Sequence, residues 1–332
     1  MNILKSFLTQ KYGISPYSDH GGIFEVDVVY TWVDGSDPEH HNQVLKYSST
    51  FEYCRYAQFG ELSLSLKTIE QFAPWVRRIF IVVADYQVFD TTRLSPWLQK
   101  RVECIRHSQV IPTQYLPVFA SQVIESYIHK IPGLADRYIY FNDDMFLGAP
   151  VTLNDFFDEL GRPYMLIDRS MSYFRSPLWF KSSMNSRQWG FYNSIYLFTS
   201  AYNLPSWDRY RFYKKTIHQP HPTLKQIAEL LWEIPEISHF LTVQNRHRFR
   251  SNFEVGFNYL MSLCGLHTDQ VKMRIECDHV FFSFFNEGSL DAGLLKIKTK
   301  RPKFVCANNT LAVENKSLGV RFITNLEEIL CN

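Results

Sequence analysis

The sequence predicts an α/β fold built on a mostly parallel, Rossmann-like sheet, and three observations predict it. Apolar, β-prone runs at Val26–Val33, Ile79–Ala84 and Tyr138–Phe141 read as buried strands. Between them, residues 61–73 and 118–130 carry apolar side chains at helical spacing, the β–α–β alternation of a parallel sheet. Each run ends in acidic or amide residues: Asp34-Gly35, Asp85, and Asn142-Asp143-Asp144. In open sheets of this kind, ligands bind outside the carboxyl ends of the strands.

The elements follow in order. Residues 24–34 form the first strand, which stops at Asp34-Gly35; Ser36-Asp37-Pro38 then reads as a turn and helix start. Gly35 permits a backbone conformation, or a close ligand approach, that a side chain would block. Residues 61–73 read as a helix because Leu62, Leu66, Ile69 and Phe72 or Ala73 recur on one face, and Pro74 ends it. Ile79–Ala84 is the next strand, followed by a polar turn with Pro96-Trp97 and a weak strand at Val102–Ile105. The helix over 118–130 has Val123, Ile124, Tyr127 and Ile128 on one side and is closed by Pro132-Gly133. Tyr138–Phe141 then leads into the acidic pair. Beyond residue 150 the pattern loosens. Residues 163–213 are aromatic and rich in Ser, Asn and Arg, so loops or a lid over the sheet edge are expected. Helices are expected at 222–232, with Pro222 near the start, and at 252–263. Lys303–Ala307 is a last apolar strand, ending in Asn308-Asn309-Thr310. No repeat, low-complexity tract or linker run divides the chain, which favours one compact unit.

The chain has 332 residues, 45% hydrophobic and 20% charged, enough for a large core. A net charge of +2 supplies no global field for nucleic acid. Aromatics reach 16% and are dense from Phe156 to Tyr213; many serve the core, and exposed faces suit stacking on sugars or bases. Six cysteines (Cys54, Cys104, Cys264, Cys277, Cys306, Cys331) include no CxxC pair, so reduced thiols in a cytoplasmic protein and no zinc site are expected. The opening Met1–Phe7 lacks the apolar core of a signal peptide, and no stretch approaches the ~18 apolar residues of a membrane span. Residues 1–12 suit a frayed end or a short membrane-touching helix.

Adjacent carboxylates such as Asp143 and Asp144 repel and desolvate badly, so a fold that buries them compensates with a divalent cation or a cationic ligand. A solvated turn also accommodates such residues. A second site of the same design, Asp34 at the end of the first strand, favours the ligand reading. His218, in His218-Gln219-Pro220-His221-Pro222, titrates near neutrality as a general base should, although a Pro-rich loop also suits a plain surface histidine. In His247-Arg248-Phe249-Arg250-Ser251, an extended backbone puts Arg248 and Arg250 on one face. Paired guanidiniums match phosphate oxygens well, and ion pairs with Asp or Glu satisfy them equally. Asn308 and Asn309, at the end of the last strand, are placed to reach a metal or sugar hydroxyls.

Four blocks resemble the Stealth family of sugar-phosphate transferases. Its members include bacterial capsule polymerases and the catalytic part of the eukaryotic enzyme that tags lysosomal glycoproteins with GlcNAc-1-phosphate. The blocks are Asp27–Pro38; Glu61–Val83 with Ile131–Leu134 and Phe141–Gly148; His218–His221 with Arg248–Ser251; and Phe304–Asn309. The resemblance implies a glycosyltransferase-A-like sheet with added helical and lid segments. It divides the chain into an N-terminal extension over 1–23 and one catalytic domain over 24–332. Within that domain, 24–150 holds the nucleotide-sugar and metal, and 151–332 supplies an aromatic lid and the His and Arg motifs. The implied reaction is attack by a glycan hydroxyl on the sugar-linked phosphorus of a nucleotide-sugar, with a UDP-sugar the implied donor, and release of a nucleoside monophosphate. Capsule and exopolysaccharide synthesis is the implied setting.

Roles follow from the resemblance. Asp143 and Asp144, with Asp34, hold Mg²⁺ or Mn²⁺. Arg248 and Arg250 grip the transferring phosphate, and His218 takes the acceptor proton. Asn142, Asn308, Asn309 and His221 bind substrate, and Arg55 contacts phosphate. One position departs from the family pattern: the last block usually reads Asn-Asp, and here it is Asn308-Asn309. The missing carboxylate weakens metal binding or shifts it onto the other acidic residues; activity is still expected. Partners are then a nucleotide-sugar and a glycan acceptor, with no nucleic acid, in the cytoplasm or peripherally at the inner membrane with polysaccharide assembly machinery. A metal-dependent glycosyltransferase, which releases nucleoside diphosphate, and a non-catalytic glycan- or nucleotide-binding protein remain the alternatives.

Overall fold

The structure is a computed structural model, and it describes residues 24–168, 184–205, 216–276, 278–311 and 315–331. A five-stranded sheet has the order β3-β2-β1-β4-β7, from β1 (Val26–Thr31), β2 (Ile79–Val83), β3 (Val102–Arg106), β4 (Arg137–Asn142) and β7 (His221–Leu224). The first four strands are parallel, and β7 joins β4 antiparallel.

Alternation along the strands sorts the core into two layers. Val28, Tyr30, Ile79, Ile81, Ile139 and Phe141 face the helix Glu61–Phe72 through Leu62, Leu66 and Ile69. Val29, Phe80, Val82, Tyr138 and Tyr140 face Val123, Ile124, Tyr127 and Ile128. Strands covered on both faces need near-continuous apolar sequence, which is why these runs are legible. Asp27 is the exception, fully buried in β1. Its oxygens accept from Arg77 Nε (2.9 Å) and Nη2 (2.6 Å), Arg78 N (3.2 Å) and Ala135 N (2.7 Å). One carboxylate thus ties the entry to β2 and the approach to β4 onto β1.

Two smaller sheets complete the fold. β5 (Met145–Leu147), β10 (Phe304–Asn309) and β9 (His279–Phe284) form one, in the order β5-β10-β9. β6 (Tyr164–Asp168) and β8 (Lys272–Glu276) form the other. The helices Ser186–Ala201, Lys225–Glu233, Pro235–Asn245 and Phe257–His267 pack around a second core that includes Ile195, Phe198, Leu231 and Leu260. The helices Glu287–Lys300 and Lys316–Cys331 cover the β5-β10-β9 sheet.

Four expectations are corrected. Residues 222–224 lie in an edge strand, with Ile139 opposite Pro222, and the helix starts at Lys225. Proline is tolerated there because an edge strand has one side that needs no ladder donor. The stretch 118–130 is broken into a helix at Ser121–Glu125 and a 3₁₀ turn at Ile128–Lys130. Trp232 Nε1 takes the carbonyl of Ser126 (2.9 Å), so Lys130 N turns instead to Tyr127 O (2.9 Å). The helix expected at 252–263 runs from Phe257 to His267. The backbone before it is held by other elements: Asn193 Nδ2 donates to the carbonyls of Asn252 and Glu254, and Gly256 N donates to Gly190 O. Residues 163–213 are not simply loops, since they contain β6 and the 16-residue helix Ser186–Ala201. That helix buries Gly190, Asn193 and Ser194 together with its apolar residues, which blurs its amphipathic pattern. The remainder of the expected lid, at 169–183 and 206–215, lies outside the described residues, as do the 1–23 extension and Cys277. The other five cysteines are free. Among the described residues, no helix is long and apolar enough to cross a membrane.

Candidate active site

The parallel register places Thr31 opposite Asn142, so the ends of β1 and β4 open on the same edge. A cleft of about 650 Å³ lies there, walled by the ends of β1 and β4, residues 217–219, Arg250 and Asn308–Thr310.

Asp143 and Asp144 form the turn between β4 and β5. The helix Glu61–Phe72 pins that turn through Ser65 Oγ, which donates to Met145 O (2.5 Å), and Thr68 Oγ1, which accepts from Leu147 N (3.1 Å). On the other side, Ala307 N of β10 donates to Asp144 O (3.0 Å), which brings Cys306 beside the acidic pair. Burial pushes Asp143 up to about 7, helped by the charge of Asp144. Burial pushes Asp144 to about 6, against the pull of its hydrogen bond from Cys306 Sγ (3.4 Å) and the nearby Arg187. Asp144 Oδ1 is buried and has no hydrogen-bond partner among the described residues. A carboxylate oxygen in that condition calls for a proton or a cation.

His218 Nε2 lies 3.8 Å from Asp144 Oδ2 and 3.4 Å from Asn142 Nδ2. Burial, then the positive charges of Arg187 and Arg250, lower His218 to about 4, so the imidazole is neutral and able to accept a proton. His221 is also held neutral by burial, at about 4, and its Nε2 faces Asn258 O (3.0 Å).

The other expected residues separate. Arg250 is exposed on the cleft wall. Arg248 is not among the cleft residues: its Nη1 donates to Pro117 O (2.7 Å) and its guanidinium lies 4.4 Å from the Tyr47 ring. The extended alternation expected at 247–251 fails because this segment bends, with Arg248 O accepting from Phe119 N (2.8 Å) and Phe249 stacked on Phe119 at 4.8 Å. Asp34 sits at the right sheet edge but turns back, its Oδ1 accepting from Ser36 N (2.9 Å) and Ser36 Oγ (2.6 Å), and it is absent from the cleft wall. Arg55 lines the cleft while paired with Glu52 at 2.6 Å. Asn308 and Asn309 line it too. Asn309 Oδ1 accepts from Leu311 N (2.9 Å), and its buried Nδ2 has no partner among the described residues.

Several cleft residues were not legible as such in the sequence. Arg187 stands in the first turn of the Ser186–Ala201 helix, and its charge reaches Asp144, His218 and Cys306. The capping box of Asn185 and Gln188 was the available signal for that helix start. Glu125 is buried at the cleft, raised to about 7 by burial, and accepts from Asn258 Nδ2 (3.0 Å). Elsewhere in the cleft His40 is enclosed by Tyr56, Tyr86 and Phe119, at ring distances of 4.7, 6.0 and 5.8 Å.

Asp144, His218 and Cys306 each offer one ligand atom, all within 4.8 Å of one another. Cysteine spacing gave no sign of this group. Burial and the charge of Asp144 raise the Cys306 thiol well above its ordinary value, so it donates to Asp144 rather than offering a thiolate. The acidic pair therefore fits a hard, oxygen-binding ion better than a thiolate-bound one.

Comparison with known proteins places the site in context. Residues 24–52 match Stealth protein CR1, conserved region 1, and residues 55–165 match Stealth protein CR2, conserved region 2. The capsular polysaccharide phosphotransferase cps1A of Actinobacillus pleuropneumoniae is 30% identical over 251 residues, covering 71% of this chain and 64% of the relative. The corresponding protein fcs1 of Haemophilus influenzae is 27% identical over 319 residues, covering 90% and 82%. The receptor polysaccharide phosphotransferase WefC of Streptococcus oralis is 37% identical over 151 residues, covering 42% and 43%. This chain thus spans less than two thirds of some of these relatives. The crystal structure of mouse xyloside xylosyltransferase 1 in its apo form aligns over 86% of this chain and 98% of its own, at a TM-score of 0.36 and 12% identity, too slight a likeness to bear on function. The two conserved regions span the ends of β1 and β4 with Asn142 and the acidic pair, and the chain belongs to the Stealth family.

Proposed function

We propose that this protein transfers a sugar 1-phosphate from a nucleotide-sugar, with UDP-sugars the first donors to test, to a glycan hydroxyl in capsule or surface-polysaccharide synthesis. The observation that carries this reading is the convergence of a neutral imidazole, a buried acidic pair and the guanidiniums of Arg187 and Arg250 in one cleft. The names of the relatives, polysaccharide phosphotransferases, point the same way. Residues 24–332 act as one catalytic unit, the first half holding donor and ion and the second supplying His218, Arg187 and Arg250.

In this mechanism His218 accepts the proton of the acceptor hydroxyl as its oxygen attacks phosphorus. The new bond is acceptor oxygen to phosphorus. The bond that breaks joins that phosphorus to the oxygen of the departing nucleoside monophosphate. Arg250 and Arg187 hold the phosphoryl oxygens, where charge builds as the reaction proceeds. Asp144 then faces the imidazolium that has formed. Asp143 and Asp144 are the residues that would hold Mg²⁺ or Mn²⁺, which when bound neutralises the diphosphate. Asn142, Asn308 and Asn309 orient substrate groups, Arg55 adds a positive charge along the cleft, and the aromatic surround of His40 suits the nucleoside. The acceptor is a glycan hydroxyl, met in the cytoplasm or at the cytoplasmic face of the inner membrane.

Phosphorus NMR of the nucleotide released from UDP-sugars, with divalent ion and an oligosaccharide acceptor, tests the proposal. UMP with a new phosphodiester signal is the expected result. UDP would mean glycosyl transfer and overturn it. Replacing His218 by Ala lowers turnover roughly 10²–10⁴-fold if His218 is the base; unchanged turnover removes it from that role.

A further inference from the structure

We infer that Tyr140 is a positioning residue that sets the tautomer of His218 through the side-chain amide of Asn142. The inference rests on the reading of His218 as the general base.

Tyr140 lies on β4, almost fully buried, beside β1. Its hydroxyl has three neighbours: Thr31 Oγ1 at 2.8 Å, Asn142 Oδ1 at 2.7 Å and Glu125 Oε1 at 3.4 Å. A phenol has one proton to give. The amide oxygen of Asn142 can only accept, so the short bond uses that proton, and Thr31 donates to the phenol oxygen. The Tyr140 proton is secure, because burial and the charge of Glu125 raise its release well above the ordinary range.

With its oxygen committed to Tyr140, the Asn142 amide must present Nδ2–H to His218 Nε2, at 3.4 Å. An N–H facing a ring nitrogen requires a lone pair there, which puts the imidazole proton on Nδ1. Asp144 Oδ2, 3.8 Å from the same nitrogen, pulls the other way, since a carboxylate favours an N–H on Nε2. The nitrogen nearest the acidic pair thus keeps its lone pair because the amide cannot rotate. A contact as long as 3.4 Å is weak enough for an acceptor hydroxyl to displace it. Tyr140 touches no reacting atom. It supplies the base with its open nitrogen on the correct side.

The test is the nitrogen-15 spectrum of the His218 ring in the wild-type protein and in Tyr140→Phe, at a pH where His218 is neutral. The expected wild-type form carries its proton on Nδ1. In Tyr140→Phe the Nε2–H form appears, kcat falls roughly tenfold or more as part of the ~10²–10⁴ a positioned base supplies, and KM for the donor stays within about twofold. In Thr31→Val, which keeps the Tyr140–Asn142 bond, the tautomer is unchanged. A wild-type ring protonated on Nε2 overturns the inference, even if Tyr140→Phe fails to fold. So does a folded Tyr140→Phe with an unaltered spectrum and kcat. The spectrum needs no turnover, so it decides this point even where the nucleotide-release experiment goes against sugar-phosphate transfer.

Discussion

Arg248 and Arg250 are one residue apart, and they do different work. Arg250 projects into the cleft from an exposed position, so Arg250→Ala removes a charge from the site without disturbing packing. Its turnover is expected to fall roughly 10²-fold, on the scale of a lost transition-state donor, with the melting temperature little changed at pH 5.5, where Glu125 and Glu254, the buried acids its charge reaches, are protonated. Arg248 instead clamps the loop before Ser121 through Pro117 O and the Tyr47 ring. Arg248→Ala is expected to lose about 1–3 kcal/mol of stability, the scale of one hydrogen bond and one cation–π contact. Steady-state kinetics and thermal melts on the two variants separate these roles. The acidic pair makes its own prediction. Asp143 and Asp144 hold protons up to about 7 and about 6, and a divalent ion must displace them. Affinity for Mn²⁺ therefore rises as pH increases through that range. Calorimetric titration in buffers of different ionisation enthalpy is expected to show more protons released per ion at pH 6 than at pH 8. Asp144→Asn abolishes the binding.

At the scale of the element, Gly35 shows how a turn is fitted to its neighbour. A Cβ there would come within 2.2 Å of the Tyr56 carbonyl oxygen, which accepts from Gly35 N at 3.0 Å. Gly35→Ala must push apart the β1 turn and the segment bearing Arg55, both at the cleft. A loss of roughly 1–3 kcal/mol in urea unfolding is expected, the scale of overpacking, together with weaker donor binding. Elements whose burial is uniform were legible beforehand: β1, β2, β4 and the helix after Gly60 each carry the pattern that two-sided or one-sided burial requires. The acidic turn was legible for the same reason, as polar residues interrupting an apolar run. What escaped depended on partners distant in sequence. Pro222 reads as a helix start until β4 is known to lie beside it. Arg187 has no local signature of function and reaches His218 only through the packing of its helix. Asp34 follows its strand as expected, but Ser36 takes its carboxylate. Cys306 becomes a neighbour of Asp144 only because β10 pairs with β5.

At the scale of the whole molecule, buried acids cost stability, and pH reveals the cost. Glu61, Glu125 and Glu254 are buried and hold their protons to about 8, about 7 and about 7, against an ordinary 4.5, with burial the main cause in each. Such an acid keeps its proton in the folded chain after the unfolded chain has released it. Its stabilising contribution is complete below the unfolded value and is lost as pH rises through the folded value. Buried histidines such as His218 and His221, lowered to about 4, act in the opposite sense until the unfolded imidazole has also lost its proton. Resistance to urea is therefore expected to decline from about pH 7 upward, as Glu61 with its folded value of about 8 ionises, and Glu61→Gln is expected to flatten that decline. The charges of Asp143 and Asp144 add to the burial of Glu61, so the acidic pair and this carboxyl are coupled. An ion held by the pair cancels that repulsion, and Glu61 then ionises more readily. Mn²⁺ should accordingly raise stability more at pH 8 than at pH 5.5, and the difference should shrink in Glu61→Gln. Equal stabilisation by Mn²⁺ at both pH values in the wild type would separate the metal from the acidic pair and place it elsewhere in the molecule.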